Sequence, residues 1–138
     1  MTPAQALQYV ILAAKGEGVQ LTKTAQTRLL YLTDLRAHRH SCAHSSGLVW
    51  LRAEHGPYNT SAGLLPRKVA VDLDDATGYR EHAIAVVKAY CRLSNDDLGM
   101  VCKGSAPMRK APKRGDLLDL DATSTNDTSA TVTSPTLR

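Results

Sequence analysis

The sequence has no phenylalanine, one tryptophan and five tyrosines among its 138 residues. Its hydrophobic core must therefore be mostly aliphatic, and Leu, Val, Ile and Ala are frequent in a chain that is 43% hydrophobic. A chain of this length is typical of one domain, which buries roughly two-thirds of the surface that its unfolded state exposes. We therefore expect it to fold without a disulfide or a metal ion.

Cysteines and long apolar runs are also scarce. Cys42, Cys91 and Cys102 are an odd number at irregular spacing, which does not match a disulfide framework. The apolar stretch near the amino terminus is too short and too mixed for a membrane span, and no basic region precedes it. These features predict a reduced cytoplasmic protein that does not associate with a membrane.

The net charge of +4 is concentrated in one segment near the end of the chain. Such a segment can contact nucleic acid or an acidic partner, or it can be a solvated basic loop. Pro107 and Pro112 interrupt it, so it does not match a recognition helix, and no helix-turn-helix spacing is apparent. We favour the solvated loop. Its basic residues are Arg109, Lys110, Lys113 and Arg114.

Apolar residues at helical spacing predict a mainly α-helical fold. Leu7, Val10, Ile11 and Ala14, for example, repeat at i, i+3, i+4 and i+7. The predicted helices cover Pro3–Lys15, a segment from the N-cap Thr22 to about His38–His40, Tyr79–Leu93, and a short segment after the N-cap Ser94 that Gly104 and Pro107 end.

A small β element accompanies these helices. In Gly47–His55, Val49, Leu51 and Ala53 alternate with Leu48, Trp50 and Arg52, which is typical of a strand. The following GPYN predicts a turn, and Lys68–Leu73 is a second strand candidate. The predicted fold class is α+β: a compact helical domain over residues 1–121 with a short two-stranded hairpin. Residues 122–138 are Ser/Thr-rich and predict a disordered tail.

The segment HRHSCAH places His38, His40, Cys42 and His44 at every second position. Alternating residues share a face only in a strand, whereas this segment follows a predicted helix. Structural zinc sites usually combine one close pair of ligands with a distant second pair, and no second pair is present. We therefore predict a polar loop and no metal or other cofactor.

Catalytic patterns are equally weak. His55 and His82 are candidate acids or bases, but neither adjoins a recognisable nucleophile. There is no glycine-rich loop of the kind that cradles phosphates. We therefore expect a protein that is not an enzyme. The candidate nucleophiles are Ser41, Ser45, Ser46 and Ser61.

Three ordered blocks resemble the Panacea domain, the SocA-like antitoxin family. They are LTKTAQTRLLYLTDL (Leu21–Leu35), GLVWLRAEHGPYN (Gly47–Asn59) and LSNDDLGMVCKGSAPMRKAPKRGDLLDLD (Leu93–Asp121). The family patterns are TK-x5-LLYL-x-D, GL-x-W-x-R-x3-GPY and PM-x2-A-x2-G-x2-LD, and in this chain three residues rather than two separate Ala111 from Gly115. The matching positions are Thr22, Lys23, Leu29, Leu30, Tyr31, Leu32 and Asp34, then Gly47, Leu48, Trp50, Arg52, Gly56, Pro57 and Tyr58, then Pro107, Met108, Ala111, Gly115, Leu118 and Asp119.

The resemblance covers roughly residues 5–121 and implies a bacterial or phage protein that neutralises a toxin by direct binding. One branch of the family presents its toxin to a protease, so a proteolytic adaptor is an alternative. A regulator that binds nucleic acid is another alternative. The chain departs from the family in TSAGLLPRKVAVDLDD after GPYN and in CKGSAPM near Cys102.

The partner expected from the resemblance is a cognate toxin. Aromatic and basic side chains are typical of binding hot spots and of electrostatic complementarity. Trp50 is also a candidate for core packing, and we expect Thr22, Lys23 and Asp34 to act as caps or surface ion partners. The candidate partner-binding residues are Lys23, Arg28, Trp50, Arg52, Tyr58, Arg109 and Arg114.

Overall fold

A computed structural model of the chain describes residues 1–111 and 113–122. These residues form a mainly α-helical fold with one two-stranded antiparallel sheet, as the sequence predicts. The predicted disordered tail, residues 122–138, lies outside the described residues except for Ala122. In chain order the elements are α1 (Pro3–Gly16), α2 (Lys23–Arg39), β1 (Leu51–Ala53), β2 (Gly56–Tyr58), a short 3-10 helix (Ala62–Leu64), α3 (Tyr79–Tyr90), α4 (Asn95–Lys103) and α5 (Ala106–Lys110).

The first two helices begin at side-chain caps. The Thr2 hydroxyl accepts a hydrogen bond from the Gln5 backbone N–H, and the Gln5 side chain accepts one from the Thr2 N–H. This reciprocal pair satisfies two donors that the first turn leaves free. The Thr22 hydroxyl accepts from the Ala25 N–H at 3.1 Å, which confirms the predicted N-cap of α2.

The core is centred on α2, and α1 and α3 pack against it and against each other. Every side chain from Leu29 to Leu35 is buried, so this part of α2 is enclosed on all sides. Tyr31 meets Trp50 edge-to-face with ring centroids 5.5 Å apart. Buried residues of all five α-helices join one hydrophobic cluster with Trp50 and Leu118.

The hairpin differs from the predicted one. The strand predicted over Gly47–His55 contains only Leu51–Ala53, and the segment predicted as a GPYN turn is the partner strand β2. The turn lies instead at Glu54 and His55. Pro57 lies opposite Arg52 in the register. At this position no cross-strand hydrogen bond requires the backbone N–H, which proline lacks.

A third extended segment lies on the other side of β1. The Arg52 N–H donates to the Asp116 carbonyl at 2.8 Å, and the Arg52 carbonyl accepts from the Gly115 N–H at 2.7 Å. The Leu118 N–H donates to the Trp50 carbonyl at 2.8 Å. Leu51 therefore has two neighbours across the sheet, Tyr58 in β2 and Leu117.

The strand predicted over Lys68–Leu73 is wrong. This segment has no strand partner among the described residues, because side chains of α1 take its hydrogen bonds. The Tyr9 hydroxyl donates to the Asp72 carbonyl at 2.7 Å, and the Gln8 and Gln5 side chains bond Val69 and Ala70. Its extended conformation therefore docks on a helix.

Two helix ends also differ from the prediction. The third helix ends at Tyr90 rather than Leu93, and the residues that follow lead to the Ser94 cap of α4. Pro107 was expected to end α4, but it lies in the first turn of the separate helix α5. Proline is favoured at that position because its missing N–H has no intrahelical partner.

Candidate partner-binding surface

A buried carboxylate joins α2, the segment before β1, and α3. Asp34 is fully buried, and four donors point at its two oxygens. The Ser46 N–H and the Tyr79 hydroxyl donate to Oδ1 at 2.8 and 2.7 Å. The Ser46 hydroxyl and Trp50 Nε1–H donate to Oδ2 at 2.5 and 2.9 Å. The expected role of Asp34 as a surface ion partner is therefore wrong, because it organises the interior.

Opposing effects act on the titration of this group. Burial raises the pKa of Asp34 above the ordinary value of an aspartate, and the hydrogen bonds from Ser46, Tyr79 and Trp50 act in the lowering direction. Burial and the nearby Asp34 carboxylate raise the pKa of Tyr79. Tyr79 is thereby kept as a hydrogen-bond donor to the carboxylate.

A second polar contact joins the hairpin to α5. Arg52 Nη1 donates to the backbone carbonyls of Met108 at 2.5 Å and Ala111 at 2.9 Å. These two carbonyls lie in and just after α5, whose Arg109 side chain donates to the Gly104 carbonyl at 2.9 Å. Arg52 is partly buried, so it holds α5 against β1 and presents little of its guanidinium to a partner.

Arg28 is the link between α2, α4 and the hairpin turn. Nη1 donates to the Asn95 carbonyl at 2.5 Å, and Nη2 donates to the His55 carbonyl at 3.0 Å. The guanidinium lies against Gly99, where an added Cβ would approach it to 3.2 Å. A side chain at Gly99 would therefore require the Arg28 guanidinium to shift by a few tenths of an ångström.

Arg28 and Tyr58 line the same cleft between α2 and β2. The cleft has a volume of about 280 Å³, which is small for a metabolite site. Lys23 is exposed one turn before Thr27, which lines the cleft. Of the seven predicted partner-binding residues, Arg28 and Tyr58 are therefore adjacent, with Lys23 near them. The remaining lining residues are Thr24, Thr27, Ala53, His55, Gly56, Pro57 and Asn59.

The outward face of the small sheet is apolar. Trp50 and Arg52 point inward, so the alternation of side chains along a strand turns Val49 and Leu51 outward. The cross-strand neighbours of Leu51, which are Tyr58 and Leu117, lie on the same outward face. The exposed fractions are 57% for Val49, 40% for Tyr58 and 67% for Leu117. We call Val49, Leu51, Tyr58 and Leu117 the sheet patch. Exposed apolar residues that share one face are typical of a binding surface.

Sequence reasoning missed most of the sheet patch. Val49 and Leu117 are separated by 68 positions, and only the pairing of the 115–118 segment with β1 places them on one sheet. The alternation of side chains on either side of Trp50 could have indicated that Val49 faces outward. Nothing in the local sequence of Leu117 indicated its neighbour across the sheet.

The other predicted contacts are dispersed. Trp50 is only 2% exposed, so its side chain is in the core and has no surface to offer a partner. Arg114 is exposed and pairs with Glu54 of the hairpin turn at 3.1 Å. Arg109 is bonded to the carbonyl that ends α4. The basic segment therefore has internal contacts at both of these residues.

The side chains of the HRHSCAH segment contact different partners and do not converge. His38 Nε2 contacts Asp121, His40 Nδ1 contacts the Arg36 carbonyl, and Cys42 Sγ donates to the Thr77 carbonyl at 3.3 Å. Residues 1–111 and 113–122 contain no group of three or more His, Cys, Asp or Glu side chains placed to hold a metal ion.

The catalytic candidates are not arranged as a nucleophile with its base. Ser46 is buried, and its hydroxyl donates to Asp34 while accepting from the Leu48 N–H. His82 lies beside His40, with ring centroids 5.3 Å apart. Burial, followed by the charge of Arg36, lowers the pKa of His82. The neutral form of His82 is therefore favoured, and among the described contacts no serine hydroxyl is hydrogen-bonded to its imidazole.

Comparison with known proteins adds no relative. No family model, no curated protein and no solved structure matches the chain. The described helices are all too short or too polar to cross a lipid bilayer.

Proposed function

We propose that the chain is a Panacea-like antitoxin, a non-enzymatic protein that neutralises a cognate toxin by direct binding. The observation that carries this proposal is that the three blocks responsible for the resemblance interlock. Asp34 of the first block accepts from Trp50 of the second, and Arg52 of the second donates to the Met108 carbonyl of the third. The matched residues of the three blocks are thus joined in one network inside the fold.

The interlocking contacts also explain why the motif residues are of these types. A buried carboxylate is costly unless several donors satisfy it, so Asp34 requires the indole of Trp50 and the hydroxyl of Tyr79. Arginine suits the position of Arg52 because one guanidinium nitrogen reaches two carbonyls. Most of the motif therefore maintains the fold, and the partner contacts a smaller exposed set of residues.

The sheet patch and the adjoining cleft form the toxin-binding surface in this proposal. Tyr58 belongs to both, and partly exposed tyrosines are frequent hot spots in protein interfaces. Lys23 and Arg28 place positive charge beside the apolar face, which favours a partner surface with an apolar centre and acidic groups at its edge.

The test is co-expression with the protein encoded next to this chain. We expect the two proteins to co-purify and growth to be rescued from the neighbour's toxicity. Absence of a complex with any adjacent gene product would overturn the antitoxin proposal.

The same experiment separates the alternatives. Disappearance of the toxin only when a purified bacterial protease is added would assign the adaptor role. A complex with DNA whose affinity falls steeply with salt would assign a regulator instead.

A further inference from the structure

A second concave surface shares no lining residue with the cleft beside the sheet. It is a groove of about 510 Å³ between the end of α1, the start of α2 and the 67–68 segment. Its volume is within the roughly 300–1,000 Å³ that is typical of small-ligand sites. We call it the α1–α2 groove. Its lining residues are Ile11, Ala14, Lys15, Gly18, Val19, Gln20, Leu21, Gln26, Arg67 and Lys68.

The floor of the groove is aliphatic. Ile11, Val19 and Leu21 are partly buried and pack against the core cluster, and Ala14 belongs to that cluster. Gly18 has φ +72°, a left-handed conformation that turns the chain between the helices and leaves open space beside it. This floor suits an aliphatic or other apolar chain, because contact removes apolar surface of both partners from water.

The rim of the groove is cationic. Lys15, Arg67 and Lys68 line it, and no acidic residue does. Arg67 is held by the carbonyls of Leu65 and Gly63, which fixes its guanidinium at the rim. Among residues 1–111 and 113–122, neither Lys15 nor Lys68 pairs with a carboxylate. The neighbouring Glu17 lies outside the lining and is paired with Arg92 at 3.3 Å.

We propose that the α1–α2 groove binds a small amphipathic carboxylate, an aliphatic chain that carries one carboxylate group. The chain lies on Ile11, Val19 and Leu21, and the carboxylate is held by Lys15 and Lys68 at the rim. This site is separate from the proposed toxin-binding surface and does not depend on it, since none of its lining residues belongs to the sheet patch or the cleft.

The test is a titration of the full-length protein with sodium octanoate, followed by amide chemical shifts. We expect saturable shifts concentrated around Val19, Leu21 and Lys68. Octan-1-ol has the same chain without the charge, and acetate has the charge without the chain. Octan-1-ol should bind up to about fivefold more weakly for each charge pair that it lacks. Acetate should bind more than about tenfold more weakly, because it lacks the apolar contact, which contributes about 0.8 kcal/mol for each buried methylene.

Charge-reversal variants test whether octanoate binding depends on the rim lysines or on the overall charge of the protein surface. Lys68→Glu and Lys15→Glu should each weaken octanoate binding about fivefold and leave octan-1-ol binding unchanged. Lys103→Glu is the matched control, because Lys103 is an exposed lysine in the last turn of α4, outside the groove. The proposal is overturned if octanoate produces no saturable shifts at the groove. It is also overturned if octan-1-ol binds equally well and the two reversals behave like Lys103→Glu.

Discussion

At the scale of single residues, Asp34 has the largest structural role. Aspartate is almost never fully buried unless it is paired, so the sequence favoured a surface position for it. A usable signal was its place in LLYLTDL (Leu29–Leu35), where four leucines and a tyrosine surround the helix and leave it no continuous polar face. The identity of its donors could not be predicted, because Ser46 and Trp50 lie in the segment before β1 and Tyr79 lies at the start of α3, 12, 16 and 45 positions away.

Removing the carboxylate should destabilise the fold strongly. Asp34→Ala leaves the donors of Trp50, Tyr79 and Ser46 buried without an acceptor. We expect the free energy of unfolding to fall by about 3 kcal/mol or more, measured by urea denaturation. Asp74→Ala is the matched control, since Asp74 is exposed, and it should change stability by less than about 0.5 kcal/mol. Equal effects of the two substitutions would contradict the role of Asp34.

The three thiols should differ in reactivity. Burial raises the pKa of Cys102 to about 12, so almost no reactive thiolate is present at neutral pH. Burial also raises the pKa of Cys91, whereas Cys42 is only partly buried. Under native conditions iodoacetamide should therefore modify Cys42 first, and Cys102 only after unfolding, as read by mass spectrometry of the peptides. Early alkylation of Cys102 would show that α4 opens readily.

At the scale of elements, the helix starts and the presence of a hairpin were predictable, but the positions of the two strands were not. Thr22 and Ser94 cap α2 and α4 as expected, because a capping hydroxyl acts on residues only three positions away. The Gly-Pro pair indicated a turn for the same local reason. The Gly-Pro pair lies in a strand instead because the Arg52 backbone, opposite Pro57, makes its hydrogen bonds to the 115–116 segment. Pro57 therefore does not need the N–H that proline lacks.

Gly56, at the start of β2, should be sensitive to an added side chain. Its φ of +138° is rarely adopted by residues that carry a side chain. Gly56→Ala should lower the free energy of unfolding by about 1–3 kcal/mol through backbone strain, as measured by thermal or urea denaturation. Gly63→Ala is the matched control, because Gly63 has an ordinary φ and open space around it. If both variants are equally stable, the turn at Glu54 and His55 is wrongly placed.

At the scale of the whole molecule, the sequence predicted the fold class better than the exposed surface. Trp50 and Arg52 are typical hot-spot residues, yet both hold the interior together. The residues of the three quoted blocks are therefore mostly engaged in folding contacts. The exposed sheet patch forms only when residues near position 117 lie beside β1, which no local pattern encodes.

The central claim is that this chain binds a partner protein through the sheet patch. Val49 and Leu117 are 57% and 67% exposed, so a charge at either position should leave the melting temperature nearly unchanged. Leu64→Asp is the matched control, because Leu64 is 85% exposed and lies outside the patch.

The decisive measurement is the dissociation constant of the complex with the co-purified partner, determined by titration calorimetry for the three variants. We predict that Val49→Asp and Leu117→Asp each weaken binding at least about tenfold, as burying an unpaired charge in an interface costs more than 1.4 kcal/mol. Leu64→Asp should bind as the unaltered protein does. Unchanged affinity for both patch variants would contradict the proposed surface.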